Sequence, residues 1–268
     1  MNMKIGITQI ITGRRTLAET LGLCERAGYE AIELVFGEGR DPDVNLSDAE
    51  IAAVGRRVRD AGVEIASVIA WYKDRGSLLS PNAEEQQKGL KSLRRAVEIA
   101  GLLGVDATLL HPGQLSVNDN YADAWRRLVG HLQAVAPAAQ AARVRIGLEN
   151  VWNKFLLSPT ETSRFVDEVA SEWVGAYLDT ANMMAYGFPE HWIDELGPRI
   201  VKVHVKDFKR GEHRFVPLGD GDTDWPRVIA HLQRIGYTGP IIHEIDGDDE
   251  LQLEMARRMR KIVAGEKP

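Results

Sequence analysis

The chain of 268 residues contains one cysteine, Cys24, so an internal disulfide is excluded and a reducing compartment is favoured. No apolar stretch approaches the roughly 20 residues that a bilayer-spanning helix needs. The opening residues enter a strand-like segment without the apolar region of a signal peptide. Lys and Arg form no block, and a net charge of −6 argues against a nucleic-acid surface. These absences predict a soluble, cytoplasmic protein that binds neither membrane nor nucleic acid.

The sequence also lacks a glycine-rich dinucleotide fingerprint and a Walker loop, but it contains a regular alternation of strand-like and helix-like segments. Near-continuous apolar runs are typical of parallel strands that are covered on both faces. Eight β–α pairs without a break in composition predict an α/β fold, a single-domain (β/α)8 TIM barrel over residues 1–268. A doubly wound open sheet is the alternative, but it usually binds its ligand at one switch point.

Local signals give approximate bounds for these segments. Thr16 and Glu19 form a capping box for the first helix, which we expect to end at Gly28. The long helix over 121–142 contains Pro137, which is expected to kink or split it. Residues 209–224 are expected to be a long loop. The eight predicted strands are 4–7, 31–34, 63–69, 105–110, 145–149, 174–179, 200–205 and 240–244.

Four of the later strands end on groups that bind metals. Glu149, Asp179 and Glu244 each follow an apolar run, and His204 interrupts the run Ile200–Val205 near its end. In a barrel the carboxyl ends of all strands face one mouth, so these side chains converge there. Burying three carboxylates around one point is untenable without a cation. The sequence therefore predicts one divalent metal ion, with Mn²⁺ or Mg²⁺ favoured and Co²⁺ or Zn²⁺ compatible.

A metal site of this kind suits proton transfer on a small carbohydrate. A cation that chelates a carbonyl and its neighbouring hydroxyl acidifies the α C–H bond and stabilises the resulting enediolate. Glu149 and Glu244 would then act as base and acid on opposite faces of that carbon. This chemistry predicts a carbohydrate isomerase or epimerase.

The residues that carry this chemistry resemble a known family, the xylose isomerase-like (β/α)8 superfamily of sugar and sugar-phosphate isomerases and epimerases. The resemblance is most specific at Gly147-Leu-Glu-Asn150, Leu178-Asp-Thr-Ala-Asn182, His204-Val-Lys-Asp207 with Arg210, and His243-Glu244. Ketose 3-epimerases of this kind bind one Mn²⁺ through Glu, Asp, His and Glu. The resemblance implies those roles for Glu149, Asp179, His204 and Glu244, and it places Arg210 towards substrate or the outer metal shell.

The chain departs from the ketose 3-epimerases at two positions. Asn182 stands where they often have a histidine, and Leu156 stands where they have a glutamate. Asn182 is still expected to bind a substrate hydroxyl, but free-ketohexose epimerisation does not follow. His111-Pro-Gly resembles the endonuclease IV-like branch, yet the chain lacks that branch's other histidines and its basic groove. We expect His111 to contact substrate or to be a structural histidine of the mouth.

Further residues of the mouth are candidates for substrate binding. Glu33 ends the second strand and is expected either to bind sugar hydroxyls or to pair with a neighbouring Arg or Lys. Trp71 follows the third strand. Its indole is expected either to form part of the pocket wall, where an apolar sugar face packs on it, or to pack against other side chains of the protein. Lys154 and basic residues of other mouth loops either bind a phosphate or carboxylate of the substrate or are solvated charges. Relatives are often dimers or tetramers, so the resemblance implies a homodimer or homotetramer.

Alternative functions remain open at this point. The same proton-abstracting site could catalyse an elimination, as a lyase does. A dehydratase acting on a keto-sugar, an inosose or an oxidised glycoside is an example. A non-catalytic sugar-binding barrel and an AP endonuclease-like enzyme are the remaining alternatives. The mass of the product distinguishes a dehydratase from an isomerase. Dehydration lowers the mass by one water molecule, whereas isomerisation leaves the mass unchanged.

Overall fold

A computed structural model describes residues 3–268, so the first two residues of the predicted domain lie outside the described part. The strands, in chain order, are β1 (Ile5–Thr8), β2 (Ala31–Gly37), β3 (Glu64–Trp71), β4 (Ala107–Leu110), β5 (Arg145–Glu149), β6 (Val174–Asp179), β7 (Ile200–Val205), β8 (Asp207–Lys209), β9 (Arg214–Val216) and β10 (Ile241–His243). The helices are α1 (Leu17–Ala27), α2 (Asp48–Asp60), α3 (Ala83–Leu103), α4 (Tyr121–Ala142), α5 (Pro159–Val169), α6 (Pro189–Leu196), α7 (Trp225–Arg234) and α8 (Asp249–Val263).

Eight parallel strands close into a barrel in the order β1-β10-β7-β6-β5-β4-β3-β2. Closure comes from the pairing of β1 with β10, where Ile5 lies opposite Ile241. The predicted (β/α)8 TIM barrel is confirmed, and an open doubly wound sheet is excluded. Most strand residues are buried because helices cover the outer face and side chains fill the interior.

Helix boundaries follow the capping chemistry of the sequence. Thr16 accepts a hydrogen bond from the backbone N–H of Glu19, and the Glu19 side chain accepts one from the backbone of Thr16, so the capping box is present. Gly28 then ends α1 with φ of 71°, a left-handed conformation that glycine adopts without strain. In α5, Ser158 caps the helix and Pro159 takes the first helical position.

Three local predictions were wrong. The segment expected to be a loop over 209–224 contributes to an antiparallel hairpin, in which Asp207 of β8 lies opposite Val216 of β9. Pro137 does not split α4, which runs as one helix from Tyr121 to Ala142. Trp71 belongs to the end of β3 rather than to the following loop. Within residues 3–268, no helix has the length and apolar character needed to cross a membrane.

Candidate metal centre and substrate pocket

The four predicted metal ligands meet at the carboxyl end of the barrel. Glu149 and Asp179 are the last residues of β5 and β6, His204 lies one residue before the end of β7, and Glu244 follows β10 directly. One ligand atom from each of the four lies within 4.8 Å of the others. Strand pairing brings Asp179 and His204 side by side, since they occupy the same register of β6 and β7.

Two oxygens of this cluster are buried without a hydrogen-bond donor among the described residues, Asp179 Oδ2 and Glu244 Oε2. Asp179 Oδ1, in contrast, accepts the backbone N–H groups of Ala181 at 2.9 Å and Asn182 at 2.8 Å. These bonds fix the carboxylate and leave Oδ2 for another ligand. A buried carboxylate oxygen without a donor is costly, and a divalent cation relieves that cost. Three carboxylates and an imidazole therefore fit one divalent metal ion.

A lysine outside the set of four metal ligands, Lys206, lies beside the cluster. The Nζ of Lys206 is 2.7 Å from Glu244 Oε2 and 3.4 Å from Asp179 Oδ2, and its side chain is 12% exposed. This ammonium group offsets part of the negative charge that the two carboxylates bring into the site. Burial lowers the pKa of Lys206, but the charges of Asp179, Glu244 and Glu149 outweigh it and raise that pKa. Lys206 is thus a buried cation at the floor of the site.

The sequence contained a signal for this lysine. Residues two apart in a strand lie on the same face, so a side chain two positions after His204 is expected to point into the mouth.

Burial also acts on Glu244, the acidic partner of Lys206. It raises the pKa of Glu244 to about 7, against the lowering effect of Lys206 and His204.

His204 is held between two carboxylates on opposite nitrogens. Its Nδ1 lies 3.2 Å from Glu149 Oε1, and its Nε2 lies 3.0 Å from Glu33 Oε1. Burial lowers the pKa of His204, but the surrounding carboxylates, first Glu33 and then Glu149 and Glu244, raise it well above its usual value. The Nδ1 atom therefore faces the metal ligands, and Nε2 can donate to Glu33.

Glu33 lies behind the cluster rather than in the pocket. It is fully buried, and it accepts hydrogen bonds from Thr8 Oγ1 at 2.7 Å, Ser67 Oγ at 2.6 Å and the Tyr177 hydroxyl at 2.7 Å. Burial raises the pKa of Glu33, but the contact with His204 and the hydroxyl donors lower it. The expectation of sugar binding finds no support in this placement, because protein donors surround both oxygens.

A cavity of about 560 Å³ opens onto the cluster. Of the expected site residues it brings together five, namely Trp71, His111, Glu149, Asn182 and Glu244. Two hydrogen bonds hold Asn182 against the loop that follows β5. Its side-chain Nδ2 donates to the backbone carbonyl of Asn150 at 2.9 Å, and its backbone carbonyl accepts from Trp152 Nε1 at 2.6 Å. Lys206, Trp152 and Phe215 complete this side of the wall.

Besides Glu33, two expected substrate contacts, Arg210 and Lys154, are not part of this cavity wall. The guanidinium of Arg210 donates to the carbonyl oxygens of Met184 and, at 2.6 Å, Gly187, and it stacks on Phe188. These contacts hold the Arg210 side chain against the loop after β6, and Arg210 does not line the cavity. Lys154 is exposed and lies outside the cavity lining.

Comparisons with known proteins agree with this architecture. Residues 21–262 match the family described as Xylose isomerase-like TIM barrel. Among curated proteins, L-ribulose-5-phosphate 3-epimerase UlaE of Escherichia coli (strain K12) is 25% identical over 230 residues, covering 85% of this chain and 81% of its own length. The matched region includes nearly all of the barrel, so the chain belongs to the xylose isomerase-like TIM barrel family.

Solved structures show the same fold. A D-tagatose 3-epimerase-like protein has a TM-score of 0.82 at 22% identity, with 98% of this chain and 97% of the other covered. D-psicose 3-epimerase from Clostridium cellulolyticum H10, solved with D-tagatose, has a TM-score of 0.80 at 18% identity, with 95% and 96% covered. Likenesses at these identities show the fold alone.

Proposed function

We propose that this member of the xylose isomerase-like TIM barrel family is a divalent-metal-dependent epimerase or isomerase of a small keto-sugar or sugar phosphate. The observation that carries the proposal is the pair Glu149 and Glu244, which line one cavity and share one metal cluster. In the barrel order, three steps separate β5 from β10, so the two carboxylates reach the site from different sides. Relatives named as 3-epimerases of ketoses and ketose phosphates support the choice of reaction.

Inversion at one carbon needs a base on one face and an acid on the other. Glu149 takes the proton from the carbon next to the carbonyl, and the electron pair of that C–H bond moves into an enediolate. Glu244 then returns a proton to the opposite face, which restores the ketone with inverted configuration. Proton exchange between the glutamates and water would place one solvent hydrogen at that carbon.

The remaining residues of the site prepare this transfer. The cluster would hold a divalent cation through Glu149, Asp179, His204 and Glu244. This cation would polarise the substrate's carbonyl oxygen and the neighbouring hydroxyl oxygen, and it would thereby acidify the C–H bond. Lys206, 2.7 Å from Glu244, supplies a fixed positive charge where negative charge develops. Trp71, lining the same cavity, offers an indole against an apolar sugar face.

The test is exchange of the substrate α-hydrogen with solvent deuterium, followed by NMR over a panel of ketoses and ketose phosphates. We expect Glu149→Gln and Glu244→Gln each to lower the exchange rate by about 10²- to 10⁴-fold. Glu25→Gln, at an exposed position of α1, is the matched control and should not change it. Normal exchange in both site variants would refute the mechanism, and product that has lost water would identify a lyase instead.

We further propose that the resident ion is Mn²⁺. Elemental mass spectrometry of gently purified protein should find near one equivalent of metal, and His204→Ala should lose it because one of the four clustered ligands is gone. Wild-type protein that binds no metal after reconstitution would refute the metal site.

A further inference from the structure

We propose that Tyr29, His243 and Gln252 are positioning residues for Glu244, because their hydrogen bonds fix the backbone that carries this carboxylate. All three side chains are buried, and none of them lines the cavity. They therefore act on the reaction through Glu244 rather than by contact with substrate. This inference rests on the proposed function for the role of Glu244 as the acid.

Glu244 is the one cluster residue that lies outside a strand. Glu149, Asp179 and His204 belong to β5, β6 and β7, whereas β10 ends at His243, one residue before Glu244. The backbone N–H of Glu244 still donates to the carbonyl of Val205, at 3.2 Å. Strand pairing thus holds Glu244 from one side, and the chain that follows it needs another support.

Side chains give that support at Ile245, the next residue. The backbone N–H of Ile245 donates to His243 Nδ1 at 3.3 Å, and its carbonyl accepts from Gln252 Nε2 at 2.9 Å. Ile245 is buried, so its polar backbone groups need partners within the protein. The path of the chain directly after Glu244 is therefore set by His243 and Gln252.

The His243 ring lies behind the site, because successive side chains along a strand point to opposite faces and Glu244 points into the mouth. Since Nδ1 accepts from Ile245, the ring is neutral and its proton lies on Nε2. Nε2 then donates to the hydroxyl of Tyr29 at 2.8 Å, and the two rings are stacked with centroids 5.3 Å apart. Tyr29 thus fixes both the orientation and the tautomer of His243.

Tyr29 and Gln252 close the chain of hydrogen bonds. The Tyr29 hydroxyl accepts from His243 and donates to the backbone carbonyl of Gln252 at 2.8 Å. Tyr29 lies between α1 and β2, and Gln252 lies in α8, so the network ties the chain around Glu244 to the helical layer. A 180° flip of the His243 ring would replace the acceptor of Ile245 N–H, so the bonds favour one arrangement. A buried network of this kind is rigid.

Rigidity at this point matters because Glu244 must meet three other ligands and the reacting carbon at once. The ligand atoms of the cluster lie within 4.8 Å of one another. A misplacement of about 1 Å at a catalytic group can lower a rate about 100-fold. Loosening the network should therefore reduce turnover while the cavity wall that contacts substrate stays in place.

The test measures kcat and KM for exchange of the α-hydrogen, with the ketose or ketose phosphate of the panel that wild type exchanges fastest. Tyr29→Phe and His243→Leu should each lower kcat by about 10- to 100-fold and leave KM unchanged. His243→Asn keeps a side-chain acceptor near the position of Nδ1 and should retain more activity than His243→Leu. If His243→Leu does not fold, Tyr29→Phe carries the test.

Tyr237→Phe is the matched control. Its hydroxyl also donates to a backbone carbonyl, that of Pro240 at 2.7 Å, but at the opposite end of β10. It removes the same kind of hydrogen bond and should not change kcat. A kcat that is unchanged in Tyr29→Phe, or lowered equally in Tyr237→Phe, would overturn the positioning role.

Absence of exchange in wild type would be a failure of the proposed function alone. Crystal structures of wild type and Tyr29→Phe would then decide the positioning role without an activity assay. Displacement of the Glu244 carboxylate by about 1 Å or more relative to Asp179 supports the inference, because this is the scale of misplacement that affects a reaction. Superposable positions of Glu244 in the two structures refute it.

Discussion

The imidazole of His204 presents Nε2 to Glu33 Oε1 at 3.0 Å, while Nδ1 faces the other cluster residues. Glu33 is itself held by three hydroxyl groups, those of Thr8, Ser67 and Tyr177. A carboxylate behind a metal-binding histidine fixes the ring orientation and increases the basicity of the ligating nitrogen. Glu33 therefore acts on the cluster through His204.

Glu33→Gln should weaken metal binding by about 10- to 100-fold, because the amide cannot match the charge that stabilises the histidine. Titration of metal-free protein with Mn²⁺ measures this affinity directly. Tyr177→Phe removes one of the donors to Glu33 and keeps the carboxylate, so its effect should be smaller. An unchanged affinity in Glu33→Gln would show that Glu33 only fills space behind the cluster.

Lys206→Met should lower the exchange rate by about 100-fold with metal content preserved, since the loss of one fixed electrostatic contact has that magnitude in other enzymes. The control is Lys202→Met on the same strand. Lys202 pairs with Asp106 at 2.8 Å, lies outside the cavity lining and should not affect exchange. Full activity of Lys206→Met would contradict a role for this charge in the reaction.

Asp207→Ala should lower the free energy of unfolding by about 3 kcal/mol, because buried donors lose their acceptor. Asp207 is fully buried and accepts hydrogen bonds from Gly219 N–H at 2.8 Å, Thr223 Oγ1 at 2.6 Å and Trp225 Nε1 at 3.1 Å. Urea unfolding measures the change. Asp220→Ala, in the same segment but half-exposed beside Arg258, should cost less than about 1 kcal/mol. Equal losses in the free energy of unfolding for Asp207→Ala and Asp220→Ala would mean that the hydrogen bonds of Asp207 do not stabilise the segment over 207–225.

Cys24 should resist thiol reagents in the folded protein. Its side chain is buried in α1, and burial raises the pKa of the thiol to about 12. A raised pKa keeps the thiol protonated at pH 8, and the thiolate is the reactive form. Colorimetric titration with a disulfide reagent should detect no thiol until denaturant is added, and then one. Rapid reaction in the native state would contradict the burial of Cys24.

The sequence by itself determined the barrel and the identity of the clustered ligands. Eight apolar runs separated by capped helices admit few architectures, and parallel closure brings all strand ends to one mouth. Glu149, Asp179, His204 and Glu244 follow from this geometry, because their position at the end of a strand is a local property. His204 and Lys206 share a face for the same reason, although Lys206 was not assigned to the site.

Only the tertiary structure decided which partner each polar side chain takes. Glu33 ends up behind His204, 171 residues away, and Arg210 donates to loop carbonyls rather than facing the cavity. The hairpin of β8 and β9 depends on the buried Asp207 and its distant donors. A side chain at a strand end can turn towards substrate, metal or backbone, and the choice depends on groups brought near by packing. Strand periodicity specifies the face of a residue, whereas its hydrogen-bond partners emerge from the closed fold.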